Sequence, residues 1–368
     1  MSSCGEARFW KEVLFMEKLF AKNLIDIEPY VAGEQPKNDK IIKLNANENP
    51  YPPSPKVQEA ISAFDAETLK KYPPMDAAPL RKAIAEFYGI GQDCVFAGNG
   101  SDDVLAAAFR AFYNSDKPIL YPDITYSFYP VWCELLKIPY ETIPVDEGFN
   151  IHVEDYFREN GGVVIPNPNA PTTIGLPLKD IEELISHNRS SVVIIDEAYA
   201  DFSGVSCVPL IKKYDNLVIT QTFSKSRSLA GMRVACAIAD PYLISYLDAV
   251  KDSYNSYPMD AVAIRAGAAA VEDREYFEAA CKRIIATRER TAERLRELGF
   301  ILPDSSANFL FVTHPEHTAK EIFSFLRDKG IFVRFFNKPR IDDHLRITIG
   351  SEEDMDALIS ALTELLGK

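Results

Sequence analysis

The sequence predicts an α/β protein: a large domain built on a mostly parallel sheet, followed by a smaller α+β domain. Three observations carry this. From Phe96 to Ala239, short apolar strands alternate with helices or loops, the pattern of a parallel sheet with covering helices. Within that stretch, Ser191–Ile195 continues as a β-branched run with no polar break, as a strand buried on both faces requires. After about residue 250 the texture changes to long helices and short strands. The expected division is an N-terminal arm over 1–44, a large domain over 45–250 and a small domain over 251–368.

Bulk properties narrow the function. At 368 residues the chain exceeds one ordinary core and suits two domains. A net charge of -14 argues against a nucleic-acid partner, whose backbone is bound by clustered Lys and Arg. Anionic ligands must instead be caught by a few local arginines. Six cysteines are scattered without C-x-x-C spacing, which argues against a zinc ribbon or redox motif and for free thiols in a reducing cytoplasm. Charges through the first eighteen residues, from Glu6 to Lys18, interrupt any signal-peptide core, and there is no uncharged apolar run long enough to cross a bilayer. A cytoplasmic enzyme without membrane contact is the expectation.

The arm opens with an amphipathic stretch, Phe9 to Phe20, that reads as a helix, followed by a turn-rich segment around Pro29-Tyr30. Such an arm packs on a partner or covers a cleft. Leu44-Asn45-Ala46-Asn47-Glu48-Asn49-Pro50 is ordered coil, because proline restricts itself and its predecessor. Its asparagines suit a polar pocket. Lys70-Lys71-Tyr72-Pro73-Pro74 is a second proline-fixed loop, and Asp76 is placed to cap a helix over Leu80–Tyr88.

Val95 to Gly98 reads as a strand; Gly98-Asn99-Gly100 then turns into a helix that starts at Ser101-Asp102. Glycines let the backbone approach a ligand, and a helix start offers free N–H groups to an anion. The third glycine of a dinucleotide fingerprint is absent. Tyr126 follows the next strand at the sheet edge where open α/β sheets place ligands; it suits stacking on a flat ring or simple packing. Val163 to Pro166 is a strand that runs into Asn167-Pro168-Asn169-Ala170-Pro171-Thr172-Thr173. The buried run then ends in Asp196-Glu197-Ala198-Tyr199. A carboxylate buried there is costly without a cation, which a protonated pyridine nitrogen or magnesium would supply. The strand Leu217 to Gln221 delivers Ser224-Lys225-Ser226-Arg227, and Arg233 precedes the strand Val234 to Ala239.

In the small domain, helices are expected over Asp260–Val271 and Arg274–Leu298, the latter stopped by Gly299. Strands follow at Asn308–Val312, Ile331–Phe335 and Leu345–Ile349, with helices at Thr318–Lys329 and Glu352–Leu366. Arg334 and Arg346 each lie inside an apolar strand. Arginine there suits bidentate capture of carboxylate or phosphate, or else a structural ion pair. His314 and His317 have metal-like spacing, but Pro315 and the acidic loop context argue against a metal.

The order of these parts resembles the fold-type I pyridoxal-phosphate aminotransferases. The likeness runs from about Tyr30 to Ile349, and Asp196-Glu197-Ala198-Tyr199 with Ser224-Lys225…Leu229-Ala230-Gly231…Arg233 carries it most specifically. Asn45–Pro50, Gly98–Asp102 and Leu345–Gly350 look most like its histidinol-phosphate aminotransferase branch. The resemblance implies pyridoxal 5′-phosphate as cofactor, with Lys225 holding it as a Schiff base and moving protons. It implies Asp196 on the ring nitrogen, Tyr199 on the ring oxygen and Tyr126 stacked on the ring. Ser101, Asp102, Ser224 and Arg233 would bind the cofactor phosphate, as would Tyr72 from the partner subunit of a homodimer. Arg346 would take a 2-oxoglutarate carboxylate, Tyr30 and Arg334 the phosphate of histidinol phosphate, and Asn47 would line the substrate pocket. One departure stands out: the family's Asn-Pro-Thr-Gly is Ala170-Pro171-Thr172-Thr173 here. Asn169 is expected to replace the missing ring contact, or Tyr199 to serve alone. The rival readings are an aromatic amino-acid aminotransferase or threonine-phosphate decarboxylase of the same fold. A non-enzymatic cofactor-domain regulator is disfavoured because no DNA-binding module precedes the domain, and a magnesium or nucleotide enzyme because no complete phosphate-binding glycine motif accompanies Asp196 and Glu197.

Overall fold

A hydrophobic strand run can be covered on both faces only if helices lie above and below it, and the elements are arranged accordingly. The computed structural model describes residues 28–29, 34 and 41–368. The expected Phe9–Phe20 helix and Tyr30 lie outside the described residues. In chain order the main elements begin with β1 (Ile42–Lys43), α1 (Pro55–Ser62), α2 (Ala78–Tyr88), β2 (Val95–Gly98) and α3 (Ser101–Phe112). Next come β3 (Ile119–Pro122), α4 (Tyr129–Leu136), β4 (Tyr140–Ile143), β5 (Gly162–Pro166), α5 (Leu178–His187), β6 (Val193–Asp196), β7 (Leu217–Thr222) and β8 (Ala235–Ala239). The remainder is α6 (Pro241–Tyr254), α7 (Ala261–Glu272), α8 (Arg274–Glu297), β9 (Phe309–Val312), α9 (Ala319–Asp328), β10 (Ile331–Phe332), β11 (Arg334–Phe335), β12 (Leu345–Thr348) and α10 (Glu352–Leu366).

The large sheet has seven strands in the order β2-β8-β7-β6-β5-β3-β4. The pairs β3–β4, β3–β5, β5–β6 and β6–β7 are parallel, whereas β8 runs antiparallel to both β2 and β7. The reversal has a local cause. The connection from β7 to β8 carries no α-helix, and a parallel return needs a longer crossover, usually helical. The mostly parallel expectation therefore holds with β8 as the exception. Side chains alternate between faces as strands demand. Val164, Ile194 and Val218 pack with Leu105, Phe109 and Leu247 of α3 and α6 on one side. Ile165, Ile195 and Ile219 pack with Leu80, Ile84, Leu184 and Ile264 of α2, α5 and α7 on the other.

A second core joins Ile284 and Leu295 of α8, Leu310 and Val312 of β9, Ile322, Ile347, Leu358 and Leu362. It covers the antiparallel sheet β11-β12-β9 and includes Leu44, which follows the parallel β1–β10 pair. The core changes at Asp273, between α7 and α8, not near residue 250: both α6 and α7 pack into the large domain. Gly267 explains how α7 docks so closely, since a Cβ there would sit 3.1 Å from both Leu80 and Val234 side-chain carbons. The expected single strand over Ile331–Phe335 is two short ones, because the chain leaves β1 and joins β12 at Val333. Asp76 accepts a hydrogen bond from the Ala78 N–H at 3.1 Å, one turn boundary earlier than expected.

Ile219 is fully buried at the centre of this sheet. Ile219→Ala should cost about 2–5 kcal/mol, lost contacts plus a cavity, read as a lower urea midpoint with an unchanged slope.

Candidate active site

Parallel strands deliver their carboxyl ends to one edge. Pro166, Asp196 and Thr220 are register partners on β5, β6 and β7. Beyond that edge lies a cleft of about 600 Å³, closed from the other side by the Asn45–Glu48 segment and the β11–β12 region.

Lys225 enters the cleft from the loop after β7. Its side chain opens on the cleft, yet protein surrounds the ammonium closely. Burial first, then the charge of Arg346, lowers its pKa from 10.5 to about 8. The ammonium donates to the Ala46 carbonyl at 3.0 Å. The peptide that carries it is held from the same loop: the Asn49 amide donates to the carbonyls of Lys225 and Ser226 at 3.0 and 3.1 Å.

Asp196 is 5% exposed. It accepts hydrogen bonds from Tyr129 Oη at 2.9 Å, Thr220 Oγ1 at 3.3 Å and the Ala198 N–H at 3.2 Å. Among the described residues no cation pairs with it. Burial therefore dominates, and its pKa rises from 3.8 to about 6 despite those donors. Glu197, next to it, is also buried, but it turns away to Ser206, Gln221 and the Cys207 N–H.

At the other end of the cleft Arg233 lies between Ser224 Oγ and Asp102 Oδ2, 3.4 Å from each. Tyr126 donates to Asp102 Oδ1 at 2.9 Å, which fixes its ring beside Tyr129. Gly100, at φ +91°, starts α3 here, and a Cβ on it would fall 2.5 Å from Arg233 Nη2. Tyr199 accepts from the Asn47 amide at 2.9 Å and rests edge-on against Phe309. Asn47 is itself tied to Thr348 and Asn308 of the small domain. Arg334 and Arg346 are direct cross-strand partners, and both line the cleft. Arg346 donates to the Asn45 carbonyl at 3.0 Å.

The structure thus brings Asn47, Ser101, Asp102, Tyr126, Asp196, Tyr199, Ser224, Lys225, Arg233, Arg334 and Arg346 to one cleft. Tyr72, expected at the partner subunit's site and not at this one, is 81% exposed and stacks on Tyr257. Asn169 does not line the cleft, and this corrects its expected role: its amide donates to the Ile124 carbonyl and Thr172 Oγ1 and its oxygen accepts from Thr125. The backbone bend turns Ala170 and Pro171 to the cleft instead. The lining also includes Glu48, Phe336, Lys338 and Arg340. These sit in loops, where no periodicity points to a pocket.

The lone buried carboxylate generates a pH prediction. An acid whose folded pKa is raised stabilises the fold least where it is ionised. The gap between 3.8 and about 6, at about 1.4 kcal/mol per pH unit, costs about 3 kcal/mol above pH 6 and nothing below pH 4. Asp196→Asn, in cofactor-free protein, should therefore resist urea better than the parent at pH 7.5, with the advantage fading as pH falls to 4.

Residues 39–362 match the family model for class I and II aminotransferases. A histidinol-phosphate aminotransferase of Methylococcus capsulatus is 54% identical over 341 residues, 93% of this chain and 96% of that one. One from Lactococcus lactis is 51% identical over 344 residues, 94% of this chain and 97% of that one. The crystal structure of histidinol-phosphate aminotransferase from Sinorhizobium meliloti in complex with pyridoxal-5'-phosphate shares the fold, with a TM-score of 0.81 at 23% identity, covering 89% of this chain and 92% of that one. A family match over most of the chain, a lysine with a depressed pKa and a buried carboxylate across one cleft agree: the chain belongs to the class I and II aminotransferases.

Proposed function

We propose that the chain transfers the amino group of L-histidinol phosphate to 2-oxoglutarate with pyridoxal 5′-phosphate, a step of histidine biosynthesis. Relatives above 50% identity over nearly the whole chain support the donor. One observation carries the chemistry: Lys225, its pKa near 8, shares a cleft with Asp196, a buried carboxylate that has no cation partner among the described residues.

The residues fit the cofactor. Asp196 needs a buried cation, which a protonated ring nitrogen provides, and a protonated ring nitrogen needs Asp196. Ser224, Arg233 and the N–H groups at the start of α3 form a cradle for a phosphate, and Gly100 leaves the room that Arg233 occupies. Pyridoxal phosphate, when bound, supplies an electrophilic carbon and a ring that draws electrons from the donor's amine-bearing carbon.

The chain's own groups do the rest. Lys225 would hold the cofactor covalently through Nζ, and its amine, when free, is the base placed to move the proton of the donor's amine-bearing carbon. A lysine at pKa 10.5 would be almost wholly protonated for that task at neutral pH; a pKa near 8 raises its free-amine fraction at pH 7 to about a tenth. Asp196 keeps a proton on the ring nitrogen. Tyr126 covers one ring face. Tyr199, oriented by Asn47, donates to the ring oxygen without help from position 170. Asn47 also borders the donor. Arg346 binds the oxo-acid carboxylate, and Arg334 with Tyr30 the donor phosphate. Tyr72 belongs in this reading to a homodimer, reaching the cofactor phosphate of its partner. Leu69 (57% exposed), Tyr72 and Tyr257 (41%) give that face the apolar character a partner would cover. Among the described residues no helix is long and apolar enough to cross a membrane, in keeping with a cytoplasmic site of action.

Two outcomes are expected. Cofactor-loaded protein reduced with borohydride should carry the cofactor on the Lys225 peptide by mass spectrometry. Lys225→Ala should bind the cofactor without that bond and lose transamination by roughly 10³-fold or more; an active variant would defeat the assignment. In cofactor-free protein, the rate of covalent capture should rise about tenfold per pH unit toward pH 8 and level above it, as the Lys225 ammonium loses its proton. Among histidinol phosphate, phenylalanine, tyrosine and threonine phosphate, kcat/KM should be highest for histidinol phosphate. A preference for phenylalanine or tyrosine, or carbon dioxide release from threonine phosphate, would replace the proposed donor.

A further inference from the structure

The segment between β11 and β12 carries charges that the roles above do not use. Phe336, Lys338, Pro339, Arg340 and Ile341 all border the cleft. Arg340 is committed to the large domain: its guanidinium donates to Asp123 Oδ2 at 2.6 Å and to the carbonyls of Val145 and Asp146 at 2.7 and 3.1 Å. Asp123 is fixed in turn, accepting the Val145 N–H at 3.0 Å. Arg340 holds this position at φ +69°, a backbone region that costs a non-glycine residue about 1 kcal/mol or more. Behind it, Ile341 is buried and its N–H returns to the Lys338 carbonyl at 3.2 Å. The strap is thus pinned at two adjacent residues just after Lys338, by an ion pair at Arg340 and by the core at Ile341.

Charge accounting turns attention to Lys338, two residues before Arg340. Of the cleft's four carboxylates, Glu48 pairs with Lys43, Asp102 with Arg233 and Asp123 with Arg340. The fourth, Asp196, is the buried one. Of the cleft's remaining cations, Lys225 and Arg346 donate to the Ala46 and Asn45 carbonyls, and Arg334 and Lys338 pair with no carboxylate among the described residues. A carboxylate ligand carries one negative charge, but a phosphate monoester carries about -1.5 to -2 at pH 7. One arginine matches the first; the second calls for another cation. Lysine, a mobile point charge on a long stem, suits a tetrahedral dianion that an arginine already grips.

We propose that Lys338 is a second phosphate-binding cation for the amino donor, a specificity-determining residue held over the cleft by the Arg340–Asp123 pair. Lys338 acts on substrate; Arg340 is a positioning residue. The assignment rests on the donor reading above, and the test separates the two. In cofactor-loaded protein, Lys338→Met should raise KM for L-histidinol phosphate about three- to tenfold with kcat little changed. KM for 2-oxoglutarate, and the slow use of unphosphorylated L-histidinol, should hold steady. Lys338→Arg should restore most of the loss, and raising salt should narrow the gap between parent and Lys338→Met, since this contact is exposed. In an Arg340→Met background the Lys338→Met step should lose most of its effect, because the strap no longer aims the lysine. An active parent whose KM for histidinol phosphate is unmoved by Lys338→Met, or moved equally for all three substrates, would overturn the Lys338 role alone. A full-sized Lys338 effect in the Arg340→Met background would overturn the positioning role. A parent that does not use histidinol phosphate would overturn the donor reading and this one with it.

Discussion

A carboxylate at the end of a fully covered strand has no water to turn to. That constraint, at Asp196, organises the site. The sheet is stable because β6 is apolar on both faces, and the same covering strips hydration from the residue that ends the strand. Three hydrogen-bond donors offset part of the loss, and the pKa still rises to about 6. Glu197 shows the alternative. It meets the same burial, but it is turned to a serine hydroxyl, a glutamine amide and a backbone N–H, and it is not part of the cleft lining. Two adjacent acids thus divide by direction: one is satisfied within the protein, the other faces the cleft with a charge still to be matched. A cation supplied by a ligand is worth most where the protein supplies none.

The lysine opposite is set by a different element, the short run Asn45–Asn49. Its carbonyls receive Arg346 and Lys225, its Asn47 reaches Thr348 and Tyr199, and its Asn49 grips the Lys225 and Ser226 carbonyls. Leu44, just before it, is buried in the small-domain core. The run therefore touches both cores and the reactive side chain at once. Asn47 pays for its place with a left-handed φ of +53°, which asparagine tolerates better than most residues. Hydrogen bonds of about 3 Å in this run join the small domain to the loop that carries the reactive side chain.

How much of this could be read from the chain depended on the kind of force involved. Strands and helices were legible because burial writes a period into the sequence: β6 and α10 follow directly from their apolar patterns. Lys225, Asp196 and Arg233 were legible because each follows or borders a strand end, where the fold must put loops. The domain boundary was not. α7 is alanine-rich and buried nearly all round, so composition shows that it is covered but not by which core; the close approach at Gly267 decides it. Nor was the reversal of β8, which follows from a loop without a helix. Lys338 and Arg340 lie in a loop without periodicity, and the pairing of Arg340 with Asp123 spans more than two hundred residues. Asn169 illustrates the limit from the other side. Its identity suggested a ligand contact, but one residue of offset in a bent loop sends the side chain into the protein, where it braces Thr125 and Ile124.

That offset bears on the ring oxygen. With alanine at position 170 and Asn169 turned inward, Tyr199 is the hydroxyl left to meet it in the proposed reaction. Tyr199 is oriented by Asn47, and Asn47 is held by Thr348 and Asn308. A contact that an asparagine of the large domain would make on its own is thereby tied to the small domain. The Arg340–Asp123 ion pair closes the same two bodies on the opposite rim. The segment that carries Asn47 and the strap that carries Arg340 thus each join the small domain to the large one at the border of the same cleft.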